Sequence, residues 1–298
     1  MKNVSIIGVP MSLGQMKDGV DLGPKAIRYA GLHNQLKQLN ISFQDKGDIS
    51  FEMITRNVDP NEKLKNIDAI IEKTTELANE VDKAILEDTF PFILGGDHSI
   101  AMGTLAGLAK HYKNLGVIWY DAHGDLNTKE TTPSGNIHGM PLAASLGIGE
   151  ERLVQIGGFS PKVKPENIVL IGIRDLDEGE KELIKEIGIK VYTMQDINKL
   201  GMKQVMEETI NYLKEKTDGL HLSLDLDGLD PSVTPGVGTA VPYGISLRES
   251  ELAMEMLHES NLLTSLEVVE VNPLLDEKNK TAEVAVHLIS RVFGEKLL

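Results

Sequence analysis

Short apolar runs alternate with longer amphipathic stretches along the whole of this 298-residue chain. The short runs predict strands near 3–9, 41–47, 91–95, 115–120, 168–172, 189–193, 219–226 and 264–271. The stretches between them predict helices over 24–38, 61–88, 98–113, 176–187, 201–216, 246–259 and 279–293. Because strand and helix follow each other repeatedly, right-handed crossovers should build a mainly parallel sheet that is covered on both faces.

Eight predicted strands are compatible with a closed α/β barrel or with an open sheet. The uneven spacing of the strands favours the open sheet, and in both architectures chemistry lies at the carboxyl ends of the strands. Residues 57–61 and 147–165 are predicted to be loops. Because no change of composition, repeat or low-complexity tract divides the chain, we expect a single domain over residues 1–298.

The composition excludes several classes of function. With 45 acidic against 30 basic residues, the formal charge of −15 argues against nucleic acid as a partner and favours a cationic small substrate. No apolar run is long enough for a membrane helix, and the N-terminus has no secretory signal, so we expect a cytoplasmic protein. The absence of cysteine excludes disulfides, thiolate nucleophiles and thiolate metal sites.

Polar clusters follow three of the predicted strands: GGDHS at 95–99, DAHGD at 121–125 and HLSLDLDGLDP at 221–231. In the third cluster polar residues alternate with leucines, although a central strand of a covered sheet should be apolar on both faces. An edge strand with one solvated face, or helix N-caps, would explain any single cluster. Three such clusters, each at the carboxyl end of a strand, are better explained by a shared chemical role.

The clusters supply two imidazoles and four carboxylates, from His98, Asp121, His123, Asp125, Asp225 and Asp227. This oxygen-rich set with some nitrogen and no sulfur suits Mn²⁺ or Mg²⁺ better than a structural Zn²⁺. Four carboxylates around one divalent ion leave two negative charges uncompensated, whereas two ions make the set neutral. The charge count therefore favours a site for two metal ions.

In this order, GGDHS, DAHGD and SLDLDGLDP resemble the three metal-binding signatures of the ureohydrolase family of binuclear manganese enzymes. SGNIHGMP at 134–141, IGIRDLDEGE at 171–180 and EVNP at 270–273 are similar to segments of its arginase branch rather than of agmatinases. The resemblance extends from SIIGVPMSLGQ to the C-terminal helix. It implies a three-layer α/β/α fold with an open, mainly parallel eight-stranded sheet, and hydrolysis of L-arginine to L-ornithine and urea.

The resemblance also implies two Mn²⁺ per subunit, which share a hydroxide that attacks the guanidinium carbon of the substrate. The ligands of the first ion would be His98, Asp121, Asp125 and Asp225. Those of the second would be His123, Asp121, Asp225 and Asp227, so that Asp121 and Asp225 bridge the ions. Asp125 could also accept a hydrogen bond from the hydroxide.

The residues implied for the substrate lie in the other similar segments. Glu270 would pair with the guanidinium, and strand alternation places Glu267 on the opposite side of the sheet. His138 would be the proton shuttle, a role that suits imidazole because its ordinary pKa is about 6.5. The α-carboxylate would be bound by Asn127, Ser134 and Asn136. The α-amino group would be bound by Asp177 and Glu180, and Thr239 would lie near the substrate.

One loop departs from the family pattern, because 234–245 reads TPGVGTAVPYGI. Pro242 is shifted into it and Tyr243 stands where glycine is usual, so we expect a different backbone there. His221 is expected to be a hydrogen-bonded core histidine. The resemblance further suggests a trimer or hexamer, with Arg248 and Glu249 at subunit contacts.

Two alternatives have the same metal clusters. A sister ureohydrolase, such as an agmatinase or a guanidino-acid hydrolase, would perform the same reaction on a substrate with a different tail. A non-catalytic sensor of arginine or metal would need neither bridging carboxylates nor a proton shuttle. The residues implied for the α-carboxylate and α-amino groups favour arginine over the substrates of a sister enzyme. The bridging and shuttle positions are all filled, which favours an enzyme over a sensor.

Overall fold

The alternating pattern produces eight parallel strands in one open sheet, which confirms the predicted fold class. The computed structural model describes residues 3–50 and 62–296, so the loop predicted at 57–61 lies outside the described residues. The strands are β1 (Val4–Val9), β2 (Phe43–Asp48), β3 (Phe90–Gly95), β4 (Leu115–Tyr120), β5 (Ile168–Ile173), β6 (Lys190–Thr193), β7 (Gly219–Asp225) and β8 (Leu263–Val269). Their order across the sheet is β2-β1-β3-β8-β7-β4-β5-β6, and each neighbouring pair is parallel.

The sheet is open, because β2 and β6 form its two edges. Its four central strands, β3, β8, β7 and β4, are direct neighbours although they are far apart in the chain. All four end on the same side of the molecule, because parallel strands have their carboxyl ends at one edge. The three polar clusters and Glu270 follow these four strands, so the topology brings them together.

Helices cover the sheet, and some of their bounds differ from the prediction. The described residues form α1 (Gly23–Tyr29), α2 (Leu32–Gln38), α3 (Ile67–Leu86), α4 (Ala101–Leu108), α5 (Pro141–Ser145), α6 (Glu151–Val154), α7 (Glu178–Ile187), α8 (Met194–Leu200), α9 (Met202–Lys214), α10 (Leu247–Ser260) and α11 (Lys280–Val292). The helix predicted over 24–38 is broken at Gly31, whose φ of 102° is not helical. Part of the loop predicted over 147–165 is helical, as α6.

The prediction missed α8. Its signal was present in the sequence, because Thr193 and Asp196 form a capping box in which each side chain accepts the other's backbone N–H. The prediction assigned a helix only from 201, where α9 begins. α8 therefore fills the connection between β6 and α9.

Two hydrophobic cores lie on opposite faces of the sheet. The first packs α1, α2, α9, α10 and α11 against residues such as Ile6, Phe92 and Leu222. The second packs α3 and α4 against residues such as Ile93 and Trp119. Alternation along each strand sends side chains to both faces of the sheet, and β3 and β4 contribute apolar residues to both cores. β7 and β8 differ, because on the face of the second core they carry the buried polar residues His221, Ser223, Ser265 and Glu267. Within residues 3–50 and 62–296, none of the helices has the length and apolar character that crossing a bilayer requires.

The contact between α3 and α4 gives a prediction for stability. A Cβ atom added at Gly107 would lie 2.6 Å from the carbonyl oxygen of Ala78 and 2.7 Å from Cβ of Val81. In an isolated helix Gly→Ala stabilises by about 1 kcal/mol. We expect Gly107→Ala instead to destabilise the protein by about 1–3 kcal/mol, because the helices must separate. Thermal unfolding measures this, and an unchanged or higher Tm would contradict the close packing.

Candidate metal centre

One imidazole nitrogen faces three carboxylates at the carboxyl edge of the sheet. His98 follows β3, and its Nδ1 atom lies 3.1 Å from Oδ2 of Asp121, 3.1 Å from Oδ2 of Asp125 and 3.0 Å from Oδ2 of Asp225. All four side chains are buried. The sequence predicted that these residues would meet, and the structure brings them together.

The other nitrogen of His98 fixes the orientation of the ring. Its Nε2 atom lies 2.8 Å from Oγ of Ser223, and that hydroxyl donates to Oε1 of Glu267 at 2.6 Å. Because the carboxylate only accepts, the serine oxygen is left to accept a hydrogen bond from Nε2–H. In the neutral ring the lone pair is then on Nδ1, which faces the three carboxylates. The ring is also stacked on Trp119, with centroids 4.1 Å apart.

A second group of similar composition adjoins the first. Nδ1 of His123 lies 3.3 Å from Oδ1 of Asp121 and 3.3 Å from Oδ2 of Asp227. The potential ligand atoms of His98, Asp121 and Asp225 lie within 4.8 Å of one another, and so do those of Asp121, His123 and Asp227, so that Asp121 belongs to both groups. Asp225 belongs only to the first group. Geometry thus supports Asp121 as a bridge between two ions, while the bridging role of Asp225 stays a prediction.

These groups fit a divalent cation. Nδ1 of His98 and Oδ2 of Asp121 are buried and have no hydrogen-bond partner among the described residues, although they face each other. A buried polar atom without a partner is costly, and a metal ion would satisfy both atoms. Octahedral ligands about 2.1 Å from an ion lie about 3 Å apart, which is the spacing seen around His98.

The raised pKa values of the aspartates also favour a bound cation. Burial, with the charge of Asp121, raises the pKa of Asp125 to about 6. Burial and the charges of Asp227 and Asp121 raise the pKa of Asp225 well above its ordinary value. The pKa of Asp227 is raised in the same direction, with burial again the largest cause. Bound cations would remove this penalty and keep the carboxylates ionised.

Glu270 lies directly after β8 and has a φ of 65°. Its Oε1 accepts a hydrogen bond from the backbone N–H of His98 at 2.9 Å, and its Oε2 accepts one from Nε2 of Gln15 at 2.7 Å. Burial alone would raise its pKa, but these donors and the nearby imidazole of His138 lower it, so the carboxylate is ionised. Gln15 was not among the predicted site residues, although it lies in the similar SLGQ segment.

The expectation that Glu267 faces away from the site is wrong. Glu267 pairs in register with Ser223 and reaches His98 through that hydroxyl, so it is on the side of the sheet that faces His98. Strand alternation did not apply to Glu270, because β8 ends at Val269 and the next residue has a left-handed backbone. Glu267 orients the imidazole of His98, and Glu270 approaches the site from the loop.

His221 is a buried core histidine, as expected. Its Nδ1 lies 2.9 Å from Oγ of Ser265, and its Nε2 lies 3.4 Å from Oε1 of Glu267. It extends the polar chain that begins at His98 deeper into the sheet. It belongs to neither of the potential metal groups among the described residues.

A cavity of about 140 Å³ opens above the two groups. His138 lines it with its Nδ1 3.5 Å from Oε1 of Glu270, and its backbone N–H donates to the carbonyl of Gly14. Burial lowers the pKa of His138, but the carboxylates of Glu270, Asp125 and Asp97 together outweigh burial and raise it. Every other residue implied for the substrate tail also lines this cavity, namely Asn127, Ser134, Asn136, Asp177, Glu180 and Thr239.

Several of these side chains contact each other rather than pointing freely into the cavity. Nδ2 of Asn127 donates to Oδ2 of Asp177 at 2.8 Å. Both carboxylate oxygens of Glu180 accept backbone N–H groups, from Leu126 at 3.0 Å and from Asp177 at 2.9 Å. Burial raises the pKa of Glu180 to about 7. Glu180 therefore holds the loop that carries His123 and Asp125 in place, as well as lining the cavity.

The loop at 234–245 is joined to the centre at two points. The hydroxyl of Thr239 donates to Oδ2 of Asp227 at 2.8 Å. The guanidinium of Arg174 donates to the carbonyls of Asp227 at 2.7 Å and of Val241 at 2.9 Å. Tyr243 adopts a φ of 64° and is exposed, so it takes a backbone conformation that favours glycine. Arg174 was not among the predicted site residues, although it is part of the similar segment IGIRDLDEGE.

The fold and the site together are those of a hydrolase with a carboxylate-rich metal centre. The arginase family model matches residues 2–294, and the chain belongs to this family of metal-dependent hydrolases. An arginase of Bacillus caldovelox is 62% identical over 299 residues, covers 100% of both chains, and has a solved structure with a TM-score of 0.98. An arginase of Bacillus subtilis strain 168 is 60% identical and covers 100% of this chain and 99% of its own.

A more distant solved structure is the arginase of Entamoeba histolytica in complex with L-ornithine. It is 36% identical, with a TM-score of 0.91 and coverage of 99% of each chain.

The shared position of Asp121 gives a prediction about metal content. We expect Asp121→Asn to bind less than half as much Mn²⁺ per subunit as the unsubstituted protein, because the side chain belongs to both groups. His123→Asn should lose metal from one group only. Elemental analysis after dialysis against Mn²⁺ measures both, with His111→Asn as a control because His111 pairs with Asp82 instead. Equal loss in Asp121→Asn and His123→Asn would contradict the shared role.

Proposed function

We propose that this chain hydrolyses L-arginine to L-ornithine and urea at the candidate metal centre. The observation that carries the proposal is one cavity in which the two carboxylate–imidazole groups form the floor and a polar set forms the wall. The similarity to proteins named arginase over the full chain supports it. The L-ornithine held by the Entamoeba histolytica relative is the product that this reaction would give.

The metal ions in this proposal are two Mn²⁺. The residues that would hold them are His98, Asp121, His123, Asp125, Asp225 and Asp227. The oxygen-rich donor set favours Mn²⁺ over Zn²⁺. When bound, two such ions lower the pKa of a shared water toward neutrality, so that it can attack the substrate carbon.

The guanidinium group would be bound by Glu270. Its carboxylate is buried, ionised and held in place by the backbone of His98 and the amide of Gln15. Each carboxylate oxygen retains a lone pair for a second donor, and a planar guanidinium matches a carboxylate well. This arrangement would hold the reacting carbon next to the metal groups.

His138 would move the proton that the leaving amine of ornithine requires. The ring lies between the cavity and Glu270, with its side chain partly exposed. Because Glu270 raises the pKa of His138, the imidazolium form is available as a proton donor. The ring can be reprotonated from the solvent that fills the cavity.

The tail of the substrate would lie against the cavity wall. Asn127, Ser134 and Asn136 offer amide and hydroxyl donors to an α-carboxylate, and Asp177 offers an acceptor to the α-amino group. Thr239 would act mainly through Asp227, to which its hydroxyl donates. This wall is the feature that would favour arginine over agmatine, which has no α-carboxylate.

The organisation of the chain is also part of the proposal. We propose a single domain over residues 1–298 that assembles as a trimer or hexamer in the cytoplasm. Arg248 is exposed at the start of α10 and available for a subunit contact, whereas the carboxylate of Glu249 caps the helix by accepting from Ser246. The absence of cysteine is compatible with a reducing compartment.

Urea release tests the proposed function directly. We expect the metal-free protein to release no urea from arginine, and added Mn²⁺ to restore activity better than Zn²⁺. Agmatine should be a much poorer substrate in the same assay. It has no α-carboxylate, and each hydrogen bond that this group of arginine would accept is worth roughly 1.5–3 kcal/mol. Comparable or better turnover of agmatine would favour the sister enzyme. Full activity without metal would contradict the role of the ions.

His138→Asn tests the proton transfer separately. We expect kcat to fall by about 10²–10⁴-fold, which is the usual contribution of general acid catalysis. Manganese content should not change, because His138 faces Glu270 and not the metal groups. If the variant loses metal, His138 is a ligand. If it keeps full activity, another group supplies the proton.

A further inference from the structure

The cavity is strongly acidic, although the proposed substrate carries a carboxylate. Its lining includes Asp175, Asp177 and Glu180 in addition to the aspartates of the metal groups. Among the described residues that line it there is no lysine or arginine. Bound metal ions would compensate the carboxylates at the floor, but they would not neutralise the wall. An α-carboxylate entering at the wall therefore needs a positive charge from elsewhere.

Lys65 supplies a cation directly behind the wall. Its Nζ atom donates a hydrogen bond to Oδ1 of Asn136 at 3.2 Å, and this contact is partly buried. The two residues are 71 positions apart in the chain, so the contact depends on the tertiary fold. Asn136 itself lines the cavity. The lysine is thus connected to the cavity through one side-chain amide.

This hydrogen bond orients the amide of Asn136. An ammonium group has three donors and no acceptor, so it can bind only the oxygen of the amide. The Nδ2–H₂ group is then left on the other side of the amide, where it can donate to an anion. The same contact polarises the amide and makes its N–H groups better donors. Without Lys65 the amide could rotate and present its oxygen, which would repel a carboxylate.

The backbone around Lys65 is fixed by its neighbours. Its own N–H donates to the carbonyl of Gly135 at 3.3 Å, directly beside Asn136. Leu64 is fully buried, and the side chain of Asn66 donates to the carbonyl of Leu13 at 2.9 Å. The lysine therefore extends from a segment that is held at the start of α3. The side chain needs no large movement to reach Asn136.

We propose that Lys65 determines the specificity of the site for guanidino substrates that carry an α-carboxylate. It positions the amide of Asn136 and places a positive charge behind the carboxylate-binding wall. The inference rests on the proposed function and extends it to a residue outside the cavity. An analogue without the carboxylate, such as agmatine, gains nothing from Lys65.

The test compares Lys65→Met with Lys65→Arg in the Mn²⁺-loaded enzyme, using arginine and agmatine as substrates. In Lys65→Met we expect KM for arginine to rise by about tenfold or more, with the loss in KM rather than in kcat. The ratio of kcat/KM for arginine to that for agmatine should fall by a similar factor. Lys65→Arg should recover most of the ratio, because its guanidinium can donate to Oδ1 of Asn136.

Lys63→Met is the matched control. Lys63 lies two residues away, and within residues 3–50 and 62–296 its Nζ donates a long 3.5 Å hydrogen bond to the carbonyl of Glu130 and none to Asn136. The control removes one positive charge from the same segment, so we expect it to leave the substrate ratio unchanged. An equal effect of Lys63→Met would show that general charge, and not the contact with Asn136, sets the specificity, and would overturn the proposal.

Inhibition by products gives a second readout that does not depend on turnover. The inhibition constant of ornithine should rise in Lys65→Met, whereas that of putrescine, which lacks the carboxylate, should not. If Lys65→Met does not fold, Lys65→Leu replaces it, because its apolar side chain also removes both the charge and the hydrogen-bond donor. An unchanged ratio with unchanged ornithine inhibition would overturn the proposal. If the unsubstituted enzyme releases no urea from arginine, the proposed function itself fails.

Discussion

Burial of four aspartates at one edge of a parallel sheet is the constraint on which this structure depends. Asp121, Asp125, Asp225 and Asp227 are all buried, and in the absence of cations burial and mutual repulsion raise the pKa of three of them. The cost is acceptable only if positive charge is brought to the same place. Two imidazoles and the proposed metal ions would supply that charge, and the strand order β3-β8-β7-β4 makes the convergence possible.

Hydrogen bonds from surrounding residues hold the side chains of this centre in place. Ser223 and Glu267 fix the ring of His98, while Gln15 fixes the carboxylate of Glu270. Arg174 joins the carbonyl of Asp227 to the loop that carries Thr239. Such outer contacts orient metal ligands and commonly change metal affinity by 10–100-fold when they are removed. Lys65 would act in the same way on the substrate tail, by orienting Asn136 in the wall of the cavity.

The sequence was sufficient for the sheet and for the convergence of the predicted metal ligands, because both follow from local patterns. Apolar runs marked the strands, and His98, Asp121 and Asp225 lie at strand ends that a parallel sheet must bring together. The sequence was not sufficient to place Glu270. This residue follows the end of β8 and has a left-handed backbone, so the alternation of side chains along the strand does not apply to it. The contact of Lys65 with Asn136 was also out of reach, because it joins segments that only the tertiary fold brings together.

The central claim is that the two groups sharing Asp121 each hold one ion. Anomalous diffraction from crystals grown with Mn²⁺ tests it most directly. The account predicts two manganese peaks per subunit about 3.5–4 Å apart. One peak should lie beside Nδ1 of His98 and the other beside Nδ1 of His123, with Asp121 between them. A single peak, or peaks away from these two histidines, would contradict it.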